Sequence, residues 1–373
     1  MYLVEASDSL RKTQHELLCG ANALRDIDIG YGSVSRHSDD LKIIWTEDLR
    51  LVPREADKTP FIVAHEFFDA LPIHVFQSIG PPPAQDSSDN AIQTPTGPVV
   101  TQQKKPPPTS WREMLVSPKP PHRLKEGEPE FELSMSKAAT PHALYLPEIS
   151  PRYKALKDTD GATIEISPEG QSYARDFAIR LGGSNPTPSP AQTPIPGRPV
   201  SSAPREEPVV KPTPSGAALI VDYGPPATIP ANSLRGVRSH ERVSPLEAPA
   251  AVDVSADVDF LALAESAINS SPGVEVHGPV DQARFLTAMG IEERAAQLVK
   301  RAVNKERAGS TGDDKGELTE LAKRVDSGWK RLVDRNPQGM GRLYQVMAIL
   351  PYSPPTEEAP QRRPVGFGGD ISL

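Results

Sequence analysis

One stretch limits the architecture of this chain more than any other: Phe61-Ile62-Val63-Ala64-His65-Glu66-Phe67-Phe68-Asp69-Ala70-Leu71-Pro72. Four apolar residues run without alternation into a histidine, two carboxylates and a proline. A short unalternated run bounded by turn signals suits a strand buried on both faces of a parallel sheet. Gly216-Ala217-Ala218-Leu219-Ile220-Val221-Asp222-Tyr223-Gly224 repeats the pattern and also ends in an acid. In open α/β sheets, ligand-binding groups gather at the carboxyl ends of such strands. Glu66, Asp69 and Asp222 are therefore the candidate site acids.

Proline decides how much of the chain can join that sheet. The 373 residues include 42 prolines, and many of them cluster in 80–110 and 184–215. Both stretches are rich in Pro, Ser, Thr, Gln and Gly and poor in large apolar side chains. They cannot bury enough surface to offset the entropy of ordering, and read as disordered inserts. The boundaries that follow are 1–79, 111–183 and 216–352 as parts of one α/β domain, separated by the inserts, with a disordered tail at 353–373.

Other strands are legible between these boundaries. Tyr2 to Glu5 reads as a strand ending in an acid, followed by a helix from Asp8 to Cys19 with Leu10, Leu17 and Leu18 at the apolar positions. Leu41 to Trp45 is a second strand, and Gly30-Tyr31-Gly32 reads as a turn. Ile73 to Gln77 alternates apolar and polar residues, as does Trp111 to Val116. The two suit an antiparallel pair, which Phe131 to Ser134 extends, and His74 is expected to be exposed. Ala162 to Ser167 is a strand, and Ser167 with Pro168 opens a helix that stops at Gly182-Gly183. Ser233 to Arg238 reads as a basic loop whose arginines are solvated or paired with the aspartates at 253–259. Helices are expected near 257–270, 281–303 and 317–333, and a last strand at 341–350.

Several function classes are excluded. The net charge is −8, with no basic stripe interleaved with aromatics, which argues against a general nucleic-acid binder. A single cysteine, Cys19, rules out an intrachain disulfide and a cysteine-based zinc site, and reads as a small packed side chain. No apolar run is long enough to span a membrane, and no signal or transit peptide is visible. His65-Glu66-Phe67-Phe68-Asp69 superficially matches the helical zinc-protease pattern. Its fifth residue is Asp, however, and a strand leads into it, so no metal site is expected there. No Ser-His-Asp or Cys-His arrangement is present.

Taken together, the stretches Leu3-Val4-Glu5-Ala6-Ser7, Ile44-Trp45, Ala64-His65-Glu66-Phe67-Phe68-Asp69-Ala70-Leu71-Pro72, Trp111-Arg112-Glu113, Gly216 to Gly224, Leu234-Arg235-Gly236, Ala256-Asp257-Val258-Asp259-Phe260, Phe285-Leu286 with Met289-Gly290, and the last strand resemble the MidA-like, DUF185 family. Its eukaryotic members are mitochondrial arginine methyltransferases that act in complex I assembly. The resemblance implies a class I, Rossmann-like methyltransferase sheet that binds S-adenosylmethionine. It implies symmetric dimethylation of an arginine in a core, 49-kDa type subunit of respiratory complex I, in the mitochondrial matrix. By position Glu5 takes the acid role beside the cofactor ribose. Glu66 and Asp69 are expected to face the substrate, with Asp222 near the same cleft.

The family pattern also includes an earlier strand and a Gly-x-Gly loop, whereas this chain begins at the second strand. It is thus expected to be a truncated gene model, a shortened isoform or a degenerate copy, with Tyr2 to Glu5 pairing abnormally or docking poorly and S-adenosylmethionine binding weak or absent. A non-catalytic assembly or scaffold protein is the alternative function.

Overall fold

The computed structural model describes residues 1–80, 91–94, 97–100, 109–185, 208–239, 241–248, 251–307, 312–337, 339–355 and 363–368. Apart from two short paired strands at 91–94 and 97–100, most of both expected inserts, 80–110 and 184–215, and much of the tail lie outside those residues.

The strands fall into separate sheets. In the first, β1 (Tyr2–Val4), β2 (Arg25–Ile27), β3 (Gly30–Ser35) and β4 (Ser38–Thr46) take the order β1-β4-β3-β2. β1 runs parallel to β4, with Tyr2 opposite Ile44 and Val4 opposite Thr46. The first strand therefore pairs regularly on this side, contrary to the abnormal pairing expected of it. Gly30-Tyr31-Gly32 is not a turn but the start of β3. Gly30 has φ 136°, and a Cβ there would lie 2.1 Å from the Trp45 carbonyl oxygen. The glycine serves close strand approach. Helix α1 (Asp8–Cys19) is capped by Ser7, whose hydroxyl accepts from the Leu10 N–H. It turns Arg11 and Cys19 inward, while Leu10 and Leu17 face solvent. Cys19 packs with Ile43 and Trp45.

The second sheet holds β5 (Phe61–His65), β12 (Ala217–Tyr223), β16 (Val274–Asp281) and β17 (Tyr344–Pro351) in the order β16-β17-β12-β5. β5 is parallel to β12, and β17 is antiparallel to it. Between β5 and β12 come β6 (His74–Ile79), β7 (Ala91–Thr94), β8 (Gly97–Val100), β9 (Ser110–Pro118), β10 (Phe131–Met135) and β11 (Thr163–Ile166). The antiparallel sheet β10-β9-β6-β11 contains the hairpin that the alternating segments predicted. Short helices α2 (Pro141–Tyr145) and α3 (Pro151–Lys154) lie beside it. A small sheet of β13 (Arg235–Arg238), β14 (Glu241–Val243) and β15 (Asp253–Ser255) replaces the expected basic loop.

The main core lies between the second sheet and two helices, α4 (Pro168–Gly182) and α5 (Phe260–Ser270). Ala64, Ile220, Met347 and Ile349 pack there against Phe177, Leu181, Phe260 and Leu263. Ser167 caps α4 through the Gly170 N–H, and the helix ends at Gly182, as read from sequence. Asp259 caps α5. The helix expected at 281–303 is two, α6 (Gln282–Ala288) and α7 (Ile291–Arg307), broken at Met289-Gly290, where Gly290 has φ 77°. Helix α8 (Gly312–Leu332) follows, and a single helical turn, α9 (Met340–Leu343), precedes β17. β16 was not read from sequence because its alternation is interrupted at Gly278-Pro279, where the pairing register with β17 shifts.

The apolar run that suggested full burial is an edge strand. Phe61 is 79% exposed and Val63 74%. Both side chains lie along a slot of about 540 Å³ lined by Met1 to Val4 on one side and Pro60 to His65 on the other. Among the described residues no strand occupies the free edge of β1 or of β5.

Candidate active site at the carboxyl end of the parallel strands

β5 and β12 run in register from Phe61 opposite Ala217 to His65 opposite Val221. The Glu66 N–H then donates to the Val221 carbonyl at 3.0 Å. At that point the chain must leave the sheet, and it does so through a left-handed residue. Glu66 has φ 48°, a conformation costing about 1–2 kcal/mol for a residue with a Cβ.

Asp222 is what holds this turn. It is 0% exposed, and its Oδ2 accepts the N–H groups of Phe67 at 3.1 Å and Phe68 at 2.8 Å, while Oδ1 accepts from Tyr223 at 2.8 Å. The first two are backbone donors that the turn leaves without partners in the sheet. The aromatic pair anchors the loop from the other side: Phe67 meets Tyr173 at 5.1 Å and Phe68 meets Phe177 at 6.0 Å between ring centroids. The loop thus has a carboxylate beneath it and an aromatic clamp beside it, and Glu66 is presented at the surface.

A second ring of contacts orients Glu66. Tyr344, 1% exposed at the start of β17, sits opposite Tyr223 in the antiparallel pairing. Its hydroxyl donates to Glu66 Oε1 and shares a further hydrogen bond with the Tyr223 hydroxyl. The two tyrosine rings lie 4.0 Å apart. Burial, with the bonds to Glu66 and Tyr223, raises the Tyr344 pKa and keeps the hydroxyl protonated. On the far side of Tyr223, the Arg235 guanidinium lies 5.2 Å from the ring centroid and is paired with Asp257 at 2.6 Å. That pairing matches one of the two readings of the basic segment. Arg238 turns instead to Glu247 at 2.9 Å.

Asp69 is half-buried. Its Oδ2 accepts from the Ser255 hydroxyl at 2.9 Å, and its carbonyl accepts from the Ala256 N–H at 2.9 Å. Burial raises its pKa, opposed by Ser255 and by the charge of Arg235. Burial also pushes the Asp222 carboxyl up to about 7, with the neighbouring Asp69 charge adding to the effect and the three backbone donors opposing it. The three candidate acids are therefore gathered at one strand end, on unequal terms. Glu66 faces outward, Asp69 lies at its side, and Asp222 approaches the loop from beneath, with no surface for a substrate.

Glu5 follows β1 and stands at the start of α1. Its Oε1 accepts from the Ser7 N–H at 2.9 Å and its Oε2 from Gln14 Nε2 at 3.1 Å. Gln14 and Val4 line the slot. Each Glu5 oxygen keeps a lone pair beyond these bonds.

Tyr344, Tyr223, Ser255 and Arg235 were not read as site residues. For the tyrosines the only signal was position: Tyr223 ends one apolar strand, and Tyr344 begins the strand that returns beside it.

A family model described as "Putative S-adenosyl-L-methionine-dependent methyltransferase" matches residues 1–280. The chain belongs to this family. Among characterised relatives, the mitochondrial protein arginine methyltransferase NDUFAF7 of Rattus norvegicus is 27% identical over 314 residues, covering 84% of this chain and 50% of the relative. The Danio rerio protein of the same name is 27% identical over 354 residues, covering 94% of this chain and 61% of the relative. The Homo sapiens protein is 24% identical over 312 residues, covering 84% and 49%. The chain thus spans about half the length of the first of these relatives. The mixed α/β fold agrees with a methyltransferase of this family. Among the described residues, no helix is long and apolar enough to cross a membrane.

Proposed function

We propose that this member of the methyltransferase family transfers a methyl group from S-adenosylmethionine to an arginine guanidinium of a protein substrate. The observation that carries this reading is the outward presentation of Glu66, on a left-handed turn held by Asp222 and hydrogen-bonded by Tyr344. Residues that fit the cofactor are also present. Glu5, at the carboxyl end of β1, retains lone pairs for ribose hydroxyls, and the adjoining slot of about 540 Å³ is within the usual range for small-ligand sites. When bound, S-adenosylmethionine supplies a methyl group activated on a sulfonium.

The work of the chain is then alignment. Guanidinium is a weak nucleophile because its lone pairs are delocalised, and it does not deprotonate readily. A bidentate carboxylate can orient it and localise its charge. What supports Glu66 in that role is the Tyr344 hydroxyl, which occupies one lone pair of Oε1 and orients the carboxylate while leaving both oxygens able to accept from an incoming planar cation. Asp69 adds negative charge at the side of the clamp. Asp222 acts through the loop and not on the substrate. Proton loss from the guanidinium accompanies or follows transfer. The finer reading, drawn from the family resemblance, is symmetric dimethylation of a core, 49-kDa type subunit of complex I in the mitochondrial matrix.

A second reading has its own observation. The free edges of β1 and β5 flank an open slot, and among the described residues no glycine turn faces Glu5 across it. On this ground the 373-residue chain by itself is expected to bind S-adenosylmethionine weakly, which would suit a scaffold that holds the partner without turnover.

The two readings separate in one pair of measurements. Calorimetry with S-adenosylmethionine, on wild type and Glu5→Gln, reports cofactor binding. Methylation of an arginine peptide from the complex I subunit by wild type and Glu66→Gln reports the clamp. Loss of transfer in Glu66→Gln with unchanged cofactor affinity supports the enzyme. Transfer by Glu66→Gln at the wild-type rate refutes the assigned role, and a chain that binds peptide but neither binds cofactor nor transfers methyl supports the scaffold.

A further inference from the structure

Away from the candidate active site, three side chains distant in sequence converge where the antiparallel sheet meets α2. His74 opens β6, Glu113 lies within β9 and His142 lies in α2. Their ligand-type atoms all fall within 4.8 Å of one another. Both imidazoles turn Nδ1 to the same carboxylate oxygen: His74 Nδ1 is 2.7 Å from Glu113 Oε1 and His142 Nδ1 is 3.7 Å from it. The ring centroids are 4.3 Å apart with the planes tilted by 53°.

We propose that His74, Glu113 and His142 form a binding site for one divalent transition ion of zinc type. Two nitrogens and one carboxylate oxygen make a donor set of borderline softness, which suits zinc and its neighbours over calcium or magnesium. With metal–ligand bonds of about 2.0–2.1 Å, ligands around a tetrahedral ion lie about 3.3 Å apart. The two Nδ1–Oε1 distances bracket that separation. Opening one and closing the other by about half an ångström meets it, which small side-chain rotations supply.

The surroundings match what a metal ligand requires. Oε2 of Glu113, turned away from the histidines, accepts from the Thr140 hydroxyl. The Glu113 N–H donates to Ser136 Oγ at 3.2 Å. Such outer contacts fix the ligating oxygen. The Glu113 side chain is 8% exposed, His74 28% and His142 57%. The carboxylate is thus the floor, and His142 stands at a mouth through which an ion and its water ligand can enter. His142 Nδ1 lies beyond hydrogen-bond distance of Oε1, so an ion would join the two where no direct bond does. Once bound, the ion ties three segments together, one of which, β6, directly follows the Glu66–Pro72 loop. The sequence signal was weak because the three ligands are 39 and 29 residues apart and belong to different elements.

The test uses the full chain, stripped with chelator and titrated with zinc chloride by calorimetry, then with cobalt chloride followed by visible absorption. His142→Gln removes the most exposed ligand, and circular dichroism checks its fold; His122→Gln, an exposed histidine elsewhere, is the control. The expected result is one equivalent of zinc bound more tightly than about 100 µM. His142→Gln should weaken it at least about tenfold and diminish the cobalt absorption, with His122→Gln unchanged. Wild-type binding weaker than that limit, or equal affinity in folded His142→Gln, overturns the proposal.

Discussion

Replacing Asp222 by asparagine should remove a pH dependence of stability that the wild type carries, so that comparing the two proteins reveals it. In the fold, burial lifts the Asp222 carboxyl from 3.8 to about 7. Unfolded, it returns to its ordinary value. Between those values the folded state holds a proton that the unfolded state has released, so stability falls as pH rises through this window. At 1.36 kcal/mol per unit, the full loss is about 4 kcal/mol, and more than half of it falls between pH 5 and pH 8. Asparagine carries no charge at either pH. It has one acceptor oxygen where the carboxyl offered two, so at least one of the N–H groups of Phe67, Phe68 and Tyr223 loses its partner. That loss costs about 1–3 kcal/mol. The variant should therefore be clearly less stable than wild type at pH 5, and the gap should close or reverse by pH 8. Urea unfolding at constant ionic strength, followed by tryptophan fluorescence at half-unit pH intervals, measures the gap, since the titrations of groups that do not interact with Asp222 are common to both proteins and the neighbouring Asp69 is the one that responds to the substitution. A gap of constant size from pH 5 to pH 8, or one that widens, would show that Asp222 stays ionised and that the three backbone donors outweigh burial.

Two further predictions concern buried polar contacts, one at this strand end and one at the opposite end of the same strands. Tyr344→Phe should lower unfolding stability by about 1 kcal/mol and reduce methyl transfer well beyond that, because Glu66 loses the hydroxyl that sets its plane; equal activity in the variant would show the contact to be incidental. Arg180→Met should cost about 1–3 kcal/mol in urea unfolding. The buried guanidinium donates to the carbonyls of Leu49, Val52 and Pro53 and pairs with Asp176; methionine removes these donors, while Asp176 keeps Arg54 at 2.6 Å and the Leu49 carbonyl keeps the Val52 N–H at 2.9 Å; a loss below about 0.5 kcal/mol would mean that water replaces the lost donors.

The sheet was legible because strands announce themselves locally. The apolar runs at 61–64 and 217–221 formed parallel neighbours, and the alternating segments at 73–77 and 111–116 formed an antiparallel pair. Capping by Ser167 and termination at Gly182-Gly183 needed only residues close in the chain. What the pattern could not carry was neighbourhood. An apolar run reads as buried whether or not a strand lies beside it, which is why Phe61 and Val63 were expected inside. Tyr344 meets Glu66 across 278 residues, a contact set by the antiparallel register of β17 on β12. The alternation that would have marked β16 is broken by Gly278-Pro279. Likewise His74, expected at the surface, is drawn in by Glu113, which belongs to the strand paired with its own.

Asp222 shows why residue type at a strand end is a poor guide to role. Glu66 and Asp222 occupy equivalent places, one residue beyond the last paired position of β5 and near the end of β12, and both carry a carboxylate. Their difference lies in what the backbone around them lacks. Glu66 adopts a left-handed conformation, which turns the following N–H groups away from the sheet and leaves them in need of an acceptor. Asp222, on the neighbouring strand and facing inward, is within reach and supplies it. An acid that is wholly buried and turned to three backbone donors cannot also meet a substrate, whereas one at the surface, with lone pairs left beside its single hydrogen bond to Tyr344, can. The strain at Glu66 and the burial of Asp222 are thus two sides of one local arrangement, in which the buried carboxylate stabilises the turn that exposes the other.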